Sequence, residues 1–371
     1  MTELFIGLMS GTSLDGVDGV LVDFSLPKLK VLSHVHHPMP NDLKTQFLSL
    51  NRSGPDELHQ AAVASQALVR IEEQIVIDLL KSANVNRSQV RAIGSHGQTV
   101  RHQPPIHNAL GYSLQLNQPA FLAELTGIDV VADFRSRDIA AGGQGAPLVP
   151  AFHAHVFSQL QQTISTLNIG GFANICVIGP QASSDVIGFD CGPGNVLIDT
   201  WCQQKLKKDF DASGDWARSG KLIPALMDQL LNEPYFSQAL PKSTGRDLFN
   251  QLWLANHLRS WSNSKAEDIQ ATLTELTAVT ISIDLIKYGK DSKRLLVCGG
   301  GALNVYLIER IQVHLPFLKL SSTTEVGIHP LQVESIAFAW LASRHVNRQV
   351  GNLPRVTGAR GPRILGALYP A

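Results

Sequence analysis

Short apolar runs broken by small and polar residues open the chain. Phe5 to Leu8, Val20 to Phe24 and Val31 to His36 have strand length and content, and the links between them are too short for a crossover helix, so an antiparallel set is predicted. A helical period then takes over. Leu58, Ala61, Ala62, Leu68, Ile71, Ile75, Leu79 and Leu80 mark one face of a helix from about Glu57 to Ser82. Strands are predicted at Val90 to Ile93 and near Asp129 to Ala132, with Gly94 to Thr99 read as a loop leaving the first of them.

The order then repeats. Ile164 to Ile169 reads as a strand, Gly170 to Asn174 as a tight turn, and Ile175 to Ile178 and Val186 to Phe189 as strands, the last running into Asp190-Cys191-Gly192-Pro193-Gly194-Asn195. Helices are predicted near Val196 to Leu206, Lys221 to Leu231 and Ile269 to Tyr288. A final strand, Arg294 to Val297, leads into Cys298-Gly299-Gly300-Gly301-Ala302-Leu303-Asn304. Both halves open strand, small-residue turn, strand. A divergent duplication with a ligand cleft between the halves is the economical reading.

Length and charge narrow this picture. With 371 residues, 44% of them hydrophobic, the chain is expected to build two domains, because single cores stop growing near roughly 250 to 300 residues. Lysine plus arginine balances aspartate plus glutamate at 31 each, which leaves no electrostatic footprint for nucleic acid or an anionic membrane. Met1 to Glu3 lead straight into a strand without a basic or cleavable apolar segment, and Leu273 to Ile286 is broken short of the roughly 20 residues a membrane helix needs. A cytoplasmic protein is expected. Cys176, Cys191, Cys202 and Cys298 form no Cys-x-x-Cys pair and read as buried thiols. His34 and His36 alternate on a strand and are expected to face solvent, while His153 and His155 on a helix do not share a face, so no histidine metal site is predicted.

The candidate chemistry begins at the first turn. Gly11 and Gly16 let backbone approach a ligand, and amides with the Thr12 and Ser13 hydroxyls can donate to anionic oxygens, whereas Asp15 and Asp18 would repel bare phosphate unless a divalent cation is present. A phosphate cradle and an ordinary hairpin turn are both open readings. Three more glycine segments follow predicted strands: Gly170-Gly171 with Asn174, Gly192 to Asn195, and Gly299 to Asn304. Each alone also reads as a helix-entry turn. Together, at strand ends of two matched halves, they point to one long anionic ligand gripped from both sides.

These residues resemble a known family. Gly-Leu-Met-Ser-Gly-Thr-Ser-Leu-Asp-Gly-Val-Asp, Ser-His-Gly-Gln-Thr, Ala-Asp-Phe-Arg-Ser-Arg-Asp, Asn-Ile-Gly-Gly-Phe-Ala-Asn, Gly-Phe-Asp-Cys-Gly-Pro-Gly-Asn and Cys-Gly-Gly-Gly-Ala-Leu-Asn, ordered between about residues 4 and 368, look like anhydro-N-acetylmuramic acid kinase. The resemblance implies an α/β fold of two actin-like, RNase H-like domains with mixed five-stranded sheets flanked by helices. It places the first domain at 1–132, completed by 346–371, and the second at 133–345. It also implies a homodimer, and ATP with Mg2+ acting on an anhydrosugar. Gly11, Thr12, Ser13, Leu14, Asp15, Gly16, Val17 and Asp18 would hold the phosphates, with Gly170, Gly171, Asn174, Gly192, Gly194 and Asn195 meeting the nucleotide from the second domain and Gly299, Gly300, Gly301 and Asn304 cradling adenosine.

Asp190 falls where the family has its catalytic aspartate. In a 1,6-anhydro sugar O6 is bonded to C1, so water must open that bond before O6 can be phosphorylated, and an ionised carboxylate can take the water's proton. A helix-capping role is the plainer alternative. Arg135 or Arg137 can pair with the lactyl carboxylate, or form a salt bridge with Asp133 or Asp138. His96, Thr99 and Glu334 are candidate sugar contacts or scaffold. The metal ligands stay unassigned, because many relatives in the wider superfamily carry an aspartate on the first strand where this chain has Gly7-Leu8-Met9. The rival readings are a kinase for another sugar and a non-enzymatic nucleotide switch.

Overall fold

The computed structural model describes residues 3–26, 28–104, 111–157, 162–181, 185–240 and 242–371; Met1 and Thr2, part of the expectation about the N-terminus, lie outside them. They form two compact units, 1–152 with 332–371, and 153–331.

The first unit is built on strands β1 (Leu4–Ser10), β2 (Gly16–Asp23), β3 (Lys30–Pro38), β4 (Val90–Gln103), β5 (Tyr112–Leu116) and β6 (Val130–Ala132). β1 pairs antiparallel with β2, β2 with β3, and β1 and β4 run parallel, as do β4 and β6. The core order is therefore β3-β2-β1-β4-β6. Two strands extend it beyond the expected five. β5 turns back along the far end of β4, and a C-terminal strand, Ala367–Tyr369, pairs antiparallel with β6.

The second unit carries β7 (Ile164–Ile169), β8 (Phe172–Ile178), β9 (Val186–Pro193), β10 (Arg294–Cys298) and β11 (Lys319–Ser322), and the C-terminal Ala367–Tyr369 is β12. Among the described residues this sheet has five strands in the order β9-β8-β7-β10-β11. β7–β8 and β8–β9 are antiparallel, and β10 is parallel to both β7 and β11. Strand for strand, order and sense repeat those of the first unit. The duplication read from the sequence is thus a duplicated topology, the mixed sheet of the actin-like fold.

Layering follows from alternation along β1. Leu4, Ile6 and Leu8 join the core beneath the helix Glu57–Ala83, which contributes Leu68, Ile75 and Leu79. On the other face the helix Val333–Val346 lies so close that a Cβ on Gly7 would stand 1.9 Å from the Ser335 carbonyl oxygen, and one on Gly94 2.1 Å from that of Phe338. Glycine is required there because helix backbone rests on strand backbone. This seat, together with β12, is why the C-terminal segment from Gln332 belongs to the first unit.

In the second unit the helix Ala266–Tyr288 is long and apolar enough to cross a bilayer by length and composition, but 83% of its most apolar stretch is buried within the protein. It is a core helix. The helix expected from Lys221 starts at Pro224 instead, since proline is favoured at the first helical position, and Ile223 donates its N–H to Thr272 Oγ1 at 3.0 Å.

Candidate active site

In the first unit the opening turn is tighter than its sequence suggested. β1 runs to Ser10 and β2 begins at Gly16, so the turn is Gly11–Asp15 and Gly16, Val17 and Asp18 are strand residues. Leu14 closes it with φ +56° and an N–H to the Gly11 carbonyl at 3.2 Å. Leu14 and Val17 are buried in the core beneath the helix Glu57–Ala83 and can offer only backbone. Thr12 and Asp15 are exposed, and Ser13 Oγ donates to Asp15 Oδ1 at 2.7 Å.

Asp18 has other partners. His34 Nε2 lies 2.9 Å from Asp18 Oδ1 and His36 Nδ1 3.3 Å, so these histidines face the aspartate rather than solvent alone, as had been expected. Burial raises the Asp18 carboxyl, and the two histidines outweigh it and hold it below the usual range. Carried on neighbouring strands, these groups meet because β2–β3 register sets Asp18 opposite His36. Among the described residues no group of three or more His, Cys, Asp and Glu side chains is arranged to hold a metal ion.

The predicted loop Gly94–Thr99 is instead the middle of β4, its small polar residues paired with β1 and β5. Ser10 Oγ donates to Gln98 Oε1 at 2.5 Å across the β1–β4 pair, and Gln115 Nε2 reaches Thr99 Oγ1 at 3.2 Å. His96 is buried against Phe338, with ring centroids 4.6 Å apart. Its Nε2 accepts from Arg135 Nη2 at 2.9 Å, and Arg135 Nη1 donates to the Gly145 carbonyl at 2.8 Å. Desolvation first, and the guanidinium second, push the His96 pKa down to about 3. The ring is therefore neutral, with Nε2 the acceptor and the proton on Nδ1. Arg137 is exposed. Asp138 is fully buried and accepts from Asn352 at 2.7 Å, Thr357 at 2.8 Å and the Gly145 amide at 2.9 Å. Glu334 is half-buried in the first turn of the helix Val333–Val346.

In the second unit the glycine segments converge. The expected turn Gly170–Asn174 reduces to Gly170-Gly171, because β8 starts at Phe172 and Asn174 is already paired. Gly170 and Gly171 carbonyls accept from Asn195 and Gly194 amides, each at 2.9 Å, so the two loops form one assembly. At the end of β10, Gly299 has φ +81°, and a Cβ there would meet the Ile169 carbonyl oxygen at 2.6 Å. Nothing lies within 4 Å of a Cβ built on Gly300. These backbones crowd the carboxyl ends of the parallel strands β7 and β10, where open α/β sheets bind ligands. Asn304 is different: its Oδ1 accepts from Leu307 N–H at 3.0 Å and caps the helix Val305–His314.

Asp190 sits at a kink in β9 rather than beyond its end. Ala173 pairs with Gly192 and Asn174 with Asp190, leaving Cys191 as the extra residue of a bulge. Gly192, at φ +149°, completes it. Three groups that the sequence did not mark hold Asp190. Thr244 N–H donates to its Oδ2 at 3.1 Å, Tyr235 Oη–H to its main-chain oxygen at 2.8 Å, and its own N–H donates to the Lys242 carbonyl at 3.2 Å. Lys-Ser-Thr-Gly at 242–245 was the only available signal, a small-residue stretch between helical patterns. Burial, reinforced by Asp284 and Asp190 nearby, pushes the Cys191 thiol up, so it stays protonated.

Residues 3–371 match a sequence model described as "Anhydro-N-acetylmuramic acid kinase". A protein of that name from Albidiferax ferrireducens is 54% identical over 389 aligned residues, covering 100% of this chain and 100% of its own. One from Variovorax paradoxus is 53% identical, with 100% of this chain and 99% of its own covered. One from Pseudomonas fluorescens is 48% identical, with 99% of each covered.

Proposed function

The chain belongs to the anhydro-N-acetylmuramic acid kinase family, and from that premise we propose how its own residues carry out the reaction. It is an ATP-dependent sugar kinase acting on 1,6-anhydro-N-acetylmuramic acid, giving N-acetylmuramic acid 6-phosphate and ADP. Asp190 is the general base. A water attacks C1 and gives its proton to the Asp190 carboxylate; the C1–O6 bond breaks; O6 takes the γ-phosphoryl group, and the bond from γ-phosphorus to the bridging oxygen breaks to release ADP. O6 needs no acid to leave, because phosphorus accepts it, unlike the protonated leaving group of an inverting glycosidase.

The observation that supports this role is the Asp190 carboxylate held by the Thr244 amide at a bulge beside the Gly170–Gly171 and Gly194–Asn195 loops. Backbone at Gly170, Gly171, Gly192, Gly194, Gly299, Gly300 and Gly301 receives nucleotide, as does the turn Gly11–Asp15. Arg135 binds the lactyl carboxylate, with His96 fixing its guanidinium. Thr99 and Glu334 contact sugar hydroxyls. Magnesium ordinarily needs few protein ligands when phosphates supply oxygens. Asp15, exposed on the turn, fits that part better than Asp18, whose carboxylate is engaged by two histidines. When bound, the ion neutralises phosphate charge. The same reading extends to a cytoplasmic homodimer.

Incubation with the anhydrosugar, ATP and 18O-water is the test. Label should enter at C1 of the phosphorylated sugar, and product with no label there ends the hydrolytic mechanism.

A further inference from the structure

Behind Asp190 lies a buried ion pair that the reaction does not consume. Lys242 Nζ meets Asp284 Oδ2 at 2.8 Å and Oδ1 at 3.2 Å, with the two side chains only 1% and 6% exposed. The ammonium is roofed by the rings of Tyr235 and Phe189, at 5.3 and 5.7 Å from their centroids. Desolvation raises the Asp284 carboxyl, and the Lys242 partner only partly offsets it. Burying two charges costs about as much as their attraction returns, so a pair like this is weak evidence of stabilisation. Its value lies in geometry.

Residues 242–245 have no regular secondary structure, yet they supply two of the contacts that hold Asp190. The Lys242 carbonyl receives the Asp190 N–H, and two residues on the Thr244 amide donates to the carboxylate. The Lys242 side chain, reaching from this irregular segment to the helix Ala266–Tyr288, ties it to a rigid element. The pair carries no net charge, so it orients Asp190 without adding a full charge beside it. We propose that Lys242 and Asp284 are positioning residues, pinning the 242–244 segment so that the Thr244 amide sets the Asp190 carboxylate for proton abstraction. The inference rests on Asp190 being the base.

Steady-state kinetics of the full chain with anhydrosugar and ATP, alongside thermal melts, tests it. Lys242→Met leaves Asp284 unpaired and buried, so the charge-free Lys242→Met/Asp284→Leu variant serves as the folded comparison. The expected result for both is kcat lowered about 10- to 100-fold, the scale of a small misplacement of a reacting group, with both KM values within about twofold of wild type. Asp190→Asn alone should lose most turnover, and adding the double variant to it should lower the residual rate by no more than about twofold, because the pair acts through Asp190. A wild-type kcat in the folded double variant overturns the positioning role, as does a further tenfold loss in the Asp190→Asn background. Near-wild-type turnover of Asp190→Asn itself fails the base assignment instead, and the positioning role with it.

Discussion

Arg135 Nη2 donates to His96 Nε2 at 2.9 Å, joining β4 to the segment that follows β6. A neutral histidine is what lets this bond exist, since a protonated ring would have no lone pair to offer. The bond helps to orient the guanidinium.

Arg135→Lys is therefore expected to raise KM for the anhydromuramic substrate about tenfold or more, because lysine keeps the charge but not the fork that binds a carboxylate. KM for ATP should not move. The control is the anhydro-N-acetylglucosamine analogue, which lacks the lactyl group. Equal effects on both sugars would remove Arg135 from carboxylate recognition.

Glu72 is 1% exposed, and its carboxyl accepts from Ser95 Oγ at 2.8 Å, which in turn accepts from Asn117 Nδ2 at 2.8 Å. Desolvation pushes its pKa up to about 7, against 4.5 for an ordinary glutamate. Between those values the folded chain holds a proton that the unfolded chain has lost, so this contribution is complete below about pH 4.5 and falls away as pH rises through about 7. The full loss is about 3 kcal/mol. Glu72→Gln cannot ionise, so urea unfolding should show the variant gaining on wild type by that order between pH 5 and pH 8. Parallel curves would contradict a protonated Glu72.

His96 and His153 shift the opposite way, each to about 3 through burial. Below about pH 6.5 the unfolded chain takes up protons that the folded chain refuses, so stability is intact above that value and declines on acidification at about 1.4 kcal/mol per pH unit for each residue. His153 bonds Thr166 Oγ1 at 2.8 Å and packs on Phe157. His153→Phe should flatten the slope of unfolding free energy between pH 6 and pH 4 by about that one increment.

Gly94→Ala places a methyl 2.1 Å from the Phe338 carbonyl oxygen, which helix backbone cannot vacate without shifting the whole helix. Overpacking of this kind costs about 1 to 3 kcal/mol, and here the obstacle is main chain, so the upper end is expected. Gly300→Ala, with nothing within 4 Å of the added Cβ, is the internal contrast and should leave the melting temperature nearly unchanged. Equal melting temperatures for the two variants would mean that the helix Val333–Val346 does not rest on β4 as described.

Much of the fold was legible along the chain because strands and turns are written in neighbouring residues. The strand-turn-strand openings of both halves, the helix from Glu57 and the helix after Asn195 all follow from local period and turn chemistry. Gly94 to Thr99 misled for the same reason: small polar residues look like a loop when read locally. They are strand because β1 and β5 satisfy their backbone from either side, and because Gly94 must be bare beneath a helix some 240 residues later in sequence.

The site divides along the same line. Residue types and their order were legible along the chain: the glycine segments, Asp190, and the arginine that follows β6. Which of them are available depends on how the chain packs. Packing committed Leu14 and Val17 to the core and Asn304 to a helix cap, turned His34 and His36 onto Asp18, and surrounded Asp190 with Tyr235, Lys242 and Thr244. The reason is physical. A backbone conformation is chosen largely by adjacent residues, whereas a buried polar group must find its partner in three dimensions, often from a distant part of the chain that carries no local sign of the pairing.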